Sequence, residues 1–140
     1  MNRSRGFSLV DSLAAVTLAG VLAGMSSMGV AELVRGARLA GAARTLGATL
    51  RLARGQALAG LGPVVARFDA TRGTYEVLDD GGRRLAEHVL PPGVVFAGLP
   101  ARACITFGGL GTADNATIAL AAGPRSRRVV VNQRGRVRIT

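Results

Sequence analysis

The 140-residue chain has few aromatic side chains and few that could bind metal: aromatic residues make up 4%, Trp is absent, and Cys and His occur once each. So few rings argue against a surface that stacks successive bases, as RNA-binding sheets and single-strand channels do. A single Cys and a single His exclude a Cys/His zinc site and an intramolecular disulfide. The length and the 49% hydrophobic content indicate one folded domain and not a disordered chain.

Lysine is also absent, so all 18 basic residues are Arg, and the formal net charge is +10. This charge is unevenly distributed: residues 1–6 carry +2, residues 7–59 carry +3, residues 60–124 carry −1, and Arg125–Thr140 carries +6. We call Arg125–Thr140 the C-terminal tail. A local basic cluster of this kind indicates an anionic partner more strongly than a high isoelectric point does.

No charged residue occurs from Ser12 to Ala31, a stretch of 20 residues. As a helix rising about 1.5 Å per residue, it would be roughly 30 Å long, which is the thickness of a bilayer core. Arg3 and Arg5 precede it, and the positive-inside rule then predicts a cytoplasmic N-terminus with the rest of the chain outside. We therefore expect residues 7–31 to form a membrane-spanning half-helix.

Residues 7–59 contain no Pro and predict one long helix, and residues 32–60 comprise its amphipathic second half and the first residue of its end. Its apolar side chains recur at spacings of three and four: Leu39, Ala43, Leu46, Leu50, Ala53 and Ala57. The segment Gly60-Leu-Gly-Pro63 ends this helix because Gly and Pro both interrupt helical structure.

Residues 61–140 change to an alternating pattern with turn signals, which predicts short strands. The expected strands are Val64–Asp69, Thr74–Leu78, Arg84–Leu90, Val94–Ala97, Ala103–Phe107, Thr117–Ala121, Arg128–Asn132 and Arg136–Ile139. Asp79-Asp80-Gly81-Gly82 predicts a hairpin turn between two of them. A long helix followed by short strands predicts an α+β fold, with an antiparallel β head packed on the second half of the helix.

The remaining polar side chains do not form the pattern of a catalytic or metal site. Cys104 lies in an apolar strand and is expected to be a small buried side chain. His88 has no Cys, His or acid arranged with it, so we expect a structural role. Asp79 and Asp80 precede two glycines and are expected to be turn residues.

Three interpretations of the N-terminus remain open. The first is a secretory signal peptide cut near Gly29-Val30-Ala31, and the second is a plain signal anchor. The helical pattern continues past that cut, which argues against the signal peptide. The third depends on a junction in which the leader Met-Asn-Arg-Ser-Arg-Gly6 is followed by Phe7, three residues, Asp11 and the apolar run.

This junction resembles that of the type IV pilin class of proteins. The resemblance implies that a prepilin peptidase cuts between Gly6 and Phe7 and methylates the new N-terminal Phe7. The fifth residue of the mature chain is normally Glu in that class, and here it is Asp11. A carboxylate in hydrocarbon needs a cation, which the α-amino group of a neighbouring subunit would supply.

Five segments in order carry a closer resemblance: 50–58, 64–68, 90–94, 105–111 and 128–138. Their order is similar to that of the minor pilins of the GspH/FimT family. The resemblance implies a two-sheet β head on a helical stem, no catalytic activity and no cofactor. It also implies insertion in the inner membrane with a periplasmic head, and then assembly with other pilin subunits into a pilus or pseudopilus at the cell surface.

The C-terminal tail places Arg136 and Arg138 two residues apart in a strand, on the same face and roughly 7 Å from each other. Adjacent phosphates of one DNA strand lie at a comparable distance, and guanidinium groups bind phosphate without reading bases. The Gly-Arg-x-Arg form resembles the tail associated, in FimT-type members, with binding of transforming DNA. The residues expected to bind double-stranded DNA are Arg134, Gly135, Arg136 and Arg138, assisted by Arg125, Arg127 and Arg128.

Two other interpretations of the tail stay open. Arginines on a solvated edge strand also deter aggregation, without any ligand. Secretion members of the GspH type can also end in Gly-Arg-like tails, so the alternative for the whole chain is a minor pseudopilin of a type II secretion system, in which the head contacts other tip subunits.

Overall fold

The computed structural model describes residues 9–140, except for the side chains of residues 22–28 and Leu61. Helix α1 spans Leu9–Gln56. A wider helical turn, Ala57–Leu61, ends it, and Gly60 adopts a φ of +87° there, a conformation that favours glycine. The predicted single long helix is therefore confirmed from residue 9 onward. The predicted cleavage site at Gly6 and Phe7 lies outside the described residues.

The chain divides into two units after Val34. In the first unit, large apolar side chains of α1 such as Leu9, Leu13 and Val16 are 58–77% exposed. Asp11 lies in the first turn of α1 and is also exposed. Within the part of the chain that the structure describes, no helix combines the length and apolarity needed to cross a bilayer, so the expected membrane span is not confirmed.

The second unit, Arg35–Thr140, contains eight strands after the helix. They are β1 (Val64–Asp69), β2 (Thr74–Leu78), β3 (Arg84–Val89), β4 (Val95–Gly98), β5 (Cys104–Phe107), β6 (Ala116–Ala122), β7 (Arg125–Val131) and β8 (Val137–Ile139). Two four-stranded sheets result, with strand orders β3-β2-β1-β5 and β4-β6-β7-β8, and all named pairings are antiparallel. The predicted α+β class is confirmed.

The apolar face predicted for the second half of α1 is the face that packs on the sheets. Its six residues, Leu39, Ala43, Leu46, Leu50, Ala53 and Ala57, are each at most 2% exposed. They join one hydrophobic core with residues of both sheets, including Phe107, Ile118 and Val129. Burying a leucine side chain stabilises a fold by about 1.5–3 kcal/mol, so Leu46 and Leu50 contribute much of the attachment of the helix to the head.

The strand prediction fails at one boundary that bears on function. β7 begins at Arg125, three residues before the predicted start at Arg128. Arg125 pairs with Ala122 and Arg127 pairs with Leu120, so the ladder with β6 extends to the two-residue turn at Gly123 and Pro124. The polar run Arg125-Ser-Arg-Arg128 carries no alternating apolar signal, and the pairing with β6 decides its structure.

The polar side chains singled out in the sequence have structural partners. The backbone N–H of Arg83 donates to Asp79 Oδ1 at 2.8 Å, which lowers the pKa of Asp79 and confirms its role in the turn. His88 stacks on Tyr75, with ring centroids 5.1 Å apart, and its Nε2 lies 3.3 Å from Thr49 Oγ1. Burial raises the pKa of the Tyr75 phenol. Cys104 is half-buried in β5.

Candidate nucleic-acid interface

The turn between β7 and β8 is fixed by Asn132. Its Oδ1 accepts hydrogen bonds from the backbone N–H groups of Arg134 and Arg136, at 3.1 and 2.9 Å. Its carbonyl accepts one from Gly135 N–H at 2.8 Å, and Gly135 has a φ of +67°. These contacts define the path of the chain just before β8.

β8 begins at Val137, one residue after the predicted start, so Arg136 directly precedes the strand and Arg138 lies within it. Both arginines are exposed and flank the buried Val137, as residues on one face of an extended segment do. Arg138 pairs with Val130, and Arg128 exchanges two hydrogen bonds of 2.8 Å with Thr140. Directly paired residues of an antiparallel sheet share a face, so Arg128 lies on the side of Arg136 and Arg138. We call Arg128, Arg136 and Arg138 the outer arginine face.

Arg125 and Arg127 lie on the opposite face of β7. Their partners in β6, Ala122 and Leu120, are buried in the core, so this face is directed towards the helix. Arg127 lines a groove with Ala40, Ala43, Arg44 and Ile139. A Cβ atom built on Gly36 would lie 2.5 Å from Arg125 Nη1, so the Arg125 guanidinium rests on α1. The structure separates these two arginines from the outer arginine face.

Two helix arginines that the sequence interpretation left out lie beside the tail. β8 is an edge strand, and Arg51 Nη2 donates to the carbonyl of Val137 on its free edge at 3.3 Å. One turn later, Arg54 Nε donates to the carbonyl of Gly111 at 3.3 Å. The spacing of three placed both residues on one helix face, but the sequence did not show that the tail packs against that face.

Gly135 has a packing role that its place in the Gly-Arg-x-Arg form does not reveal. A Cβ atom there would lie 2.5 Å from the carbonyl oxygen of Gly111 and 2.6 Å from Arg54 Nε. The backbone N–H of Ala113 also donates to the carbonyl of Gln133 at 3.0 Å. The hairpin turn is thus held tightly against the loop that contains Gly111, and Gly135 makes this approach possible.

Arginines on the two sheets differ in how their charge is compensated. On the first sheet and its turns, Arg67, Arg72, Arg83 and Arg84 form salt bridges with nearby acids. Among residues 9–140, no salt bridge involves Arg134 or any member of the outer arginine face. The outer arginine face and Arg134 thus differ from the arginines of the first sheet in having no acidic partner within the described residues.

A long helix packed on two antiparallel sheets defines the type IV pilin-like fold. The chain is similar to the type IV minor pilin FimU of Pseudomonas aeruginosa, with a TM-score of 0.61 and 20% identity over 73% of this chain and 87% of that one. It is also similar to the minor pseudopilin EpsH of the type 2 secretion system of Vibrio cholerae, with a TM-score of 0.63 and 18% identity over 74% of this chain and 96% of that one.

The family model of type II transport protein GspH matches residues 42–135, which is well over half of the sequence. The chain belongs to the GspH family. No curated protein sequence matches it. The chain is accordingly a subunit of minor pilin or pseudopilin type, of a type IV pilus or a type II secretion system, and not an enzyme.

Proposed function

We propose that this chain is a minor pilin of a type IV pilus that binds extracellular double-stranded DNA without sequence preference, for DNA uptake in natural transformation. The observation that supports it is the outer arginine face, where Arg128, Arg136 and Arg138 are exposed together and form no salt bridge within residues 9–140. Guanidinium groups spaced along a strand can each take a phosphate, and no base contact is required. Arg125 and Arg127 lie on the other face and are expected to contribute less.

A genetic experiment tests this proposal in the cell. A strain lacking the gene is complemented with the wild-type chain or with Arg136→Gln and Arg138→Gln combined. We expect the double variant to restore pilus assembly but not uptake of labelled duplex DNA. Full DNA uptake by the double variant would contradict the proposal.

The second candidate function is that of a minor pseudopilin of a type II secretion system. Two observations favour it: the family model is that of type II transport protein GspH, and EpsH of Vibrio cholerae has a similar fold. A secretion role predicts that deletion of the gene abolishes export of secreted proteins and leaves DNA uptake unchanged. Neighbouring genes for secretion, as opposed to pilus and competence genes, would point the same way.

We further propose that the N-terminal unit sits in the inner membrane before assembly, with the head in the periplasm, and packs against neighbouring subunits afterwards. Its exposed apolar side chains, such as Leu9, Leu13 and Val16, would be buried in both states. Leaving either environment would expose this apolar area to water at a cost of about 25 cal/mol per Å², so the unit is retained in the membrane or in the filament.

Processing by prepilin peptidase is expected at the bond between Gly6 and Phe7. The basic leader and the apolar run after Phe7 motivate this site. Intact-mass analysis of the mature protein should show loss of residues 1–6 and one added methyl group. A mature chain cut after Ala31 would instead identify a signal peptide and contradict the pilin mode of processing.

Asp11 is expected to pair with the N-terminal amine of a neighbouring subunit. A carboxylate surrounded by apolar groups is costly without a cation, so this pairing would favour entry into the filament. Asp11→Ala should leave cleavage intact and reduce the amount of the chain in purified filaments, whereas Asp11→Glu should be incorporated at least as well as the wild type. Normal incorporation of Asp11→Ala would remove this role from Asp11.

A further inference from the structure

Arg54 lies at the junction between the helix and the hairpin turn, and its side chain is half-buried. Its Nε group is held by the Gly111 carbonyl at 3.3 Å. A guanidinium has five N–H donors, and within residues 9–140 no hydrogen bond occupies the two Nη groups of Arg54. One donor, Nε, therefore fixes the orientation of the Arg54 side chain, and its two Nη groups can donate to a ligand.

Arg54, Asn132, Arg134 and Arg136 together line a cleft of about 340 Å³. Three of these four side chains are cations, and no carboxylate lines the cleft. None of the three arginines forms a salt bridge in the part of the chain that the structure describes. Three positive charges around one concave surface repel one another, and an anion in the cleft would remove that repulsion.

We propose that this cleft is a binding site for one phosphodiester group of a nucleic acid, and that Arg54 of α1 is one of the side chains that contact the phosphate. The inference rests on the proposed function and adds a contact outside the tail. Arg136 borders both the cleft and the outer arginine face, so a strand seated in the cleft continues along Arg138 at a spacing of roughly 7 Å. Gly135 is needed for this binding site because a side chain at that position would displace Arg54.

The first test measures binding of a fluorescent 20-base-pair duplex to the full-length chain in nonionic detergent. Arg54→Gln should weaken binding about fivefold, which corresponds to the loss of one partly exposed ionic contact of about 1 kcal/mol. The matched control is Arg102→Gln, which removes one positive charge at a different place in the head. Arg102 precedes β5 whereas Gly111 follows it, so this variant should leave binding unchanged. If Arg54→Gln binds with wild-type affinity while the double variant Arg136→Gln with Arg138→Gln does not bind, the proposed role of the cleft is wrong. The proposed function would then still hold. No binding by the wild-type chain would overturn both.

Arg54→Gln also removes the hydrogen bond to Gly111, so a second measurement avoids that variant. The Nε–Hε resonance of Arg54 in the wild-type spectrum is assigned by its loss in Arg54→Lys, which keeps the charge and the aliphatic stem. Adding the duplex should shift this resonance, and adding sodium chloride to the same ionic strength should not. An Arg54 resonance that does not move when the tail arginines do would contradict the proposal.

Discussion

Replacing Arg136 and Arg138 together by Gln is expected to weaken binding of double-stranded DNA more than tenfold. Arg138 in β8 and Arg136 directly before it are both exposed, and neither has an acidic partner among residues 9–140. Binding that uses only phosphates has a Kd on the order of 10⁻⁴ to 10⁻⁶ M at physiological salt, so loss of two contacts leaves little measurable affinity. Fluorescence anisotropy with the full-length chain in nonionic detergent measures the change.

Two control variants remove the same charge elsewhere. Arg72→Gln with Arg102→Gln neutralises two exposed arginines away from the second sheet, and it should retain affinity close to that of the wild type. Arg125→Gln with Arg127→Gln tests the inner face of β7 and should have a smaller effect than the outer pair. Exposed substitutions change stability by only about ±0.5 kcal/mol, so all three double variants should melt close to the wild type. An equal loss of binding in all three would mean that net charge, not the outer arginine face, determines affinity.

Leu50→Ala is expected to destabilise the head by about 2–5 kcal/mol, a large part of the roughly 5–15 kcal/mol typical of a folded domain. Leu50 is fully buried between α1 and the sheets, so its truncation leaves a cavity in the core. The matched control is Leu52→Ala, two residues along the same helix, because the Leu52 side chain is 59% exposed.

Thermal unfolding followed by circular dichroism compares the two leucine variants. Each kcal/mol lowers the Tm of a domain of about 100 residues by roughly 4–8 °C, so Leu50→Ala should melt at least about 8 °C below the wild type. Leu52→Ala should melt within a few degrees of it. A similar decrease in both variants would contradict the packing of α1 through the face that contains Leu46 and Leu50.

Local sequence signals predicted most of the head because each element carries its own pattern. The spacing of Leu39, Leu46 and Leu50 identified the buried helix face, and alternation identified β1 and β2 with their observed bounds. The aspartates and glycines at 79–82 identified the hairpin turn. The joint position of Arg136 and Arg138 followed from the period of two in a strand.

Features that depend on long-range packing could not be predicted in the same way. The start of β7 at Arg125 is set by its pairing with β6, and this pairing put Arg125 and Arg127 on the inner face. The position of Arg54 beside the tail depends on how the helix lies against the second sheet. The packing role of Gly135 depends on Gly111, which lies in the loop between β5 and β6, more than twenty residues earlier in the chain.

The dependence of wild-type duplex binding on salt concentration tests the central claim most directly. If Arg128, Arg136 and Arg138 each neutralise one phosphate, a plot of log K against log salt should have a slope of about −2.7, because each phosphate contributes about −0.9. Two duplexes of unrelated sequence should give the same slope and nearly the same affinity, since phosphate contacts carry no sequence information. No detectable binding at low salt, or an affinity that does not change with salt, would contradict the claim that this face binds the DNA backbone.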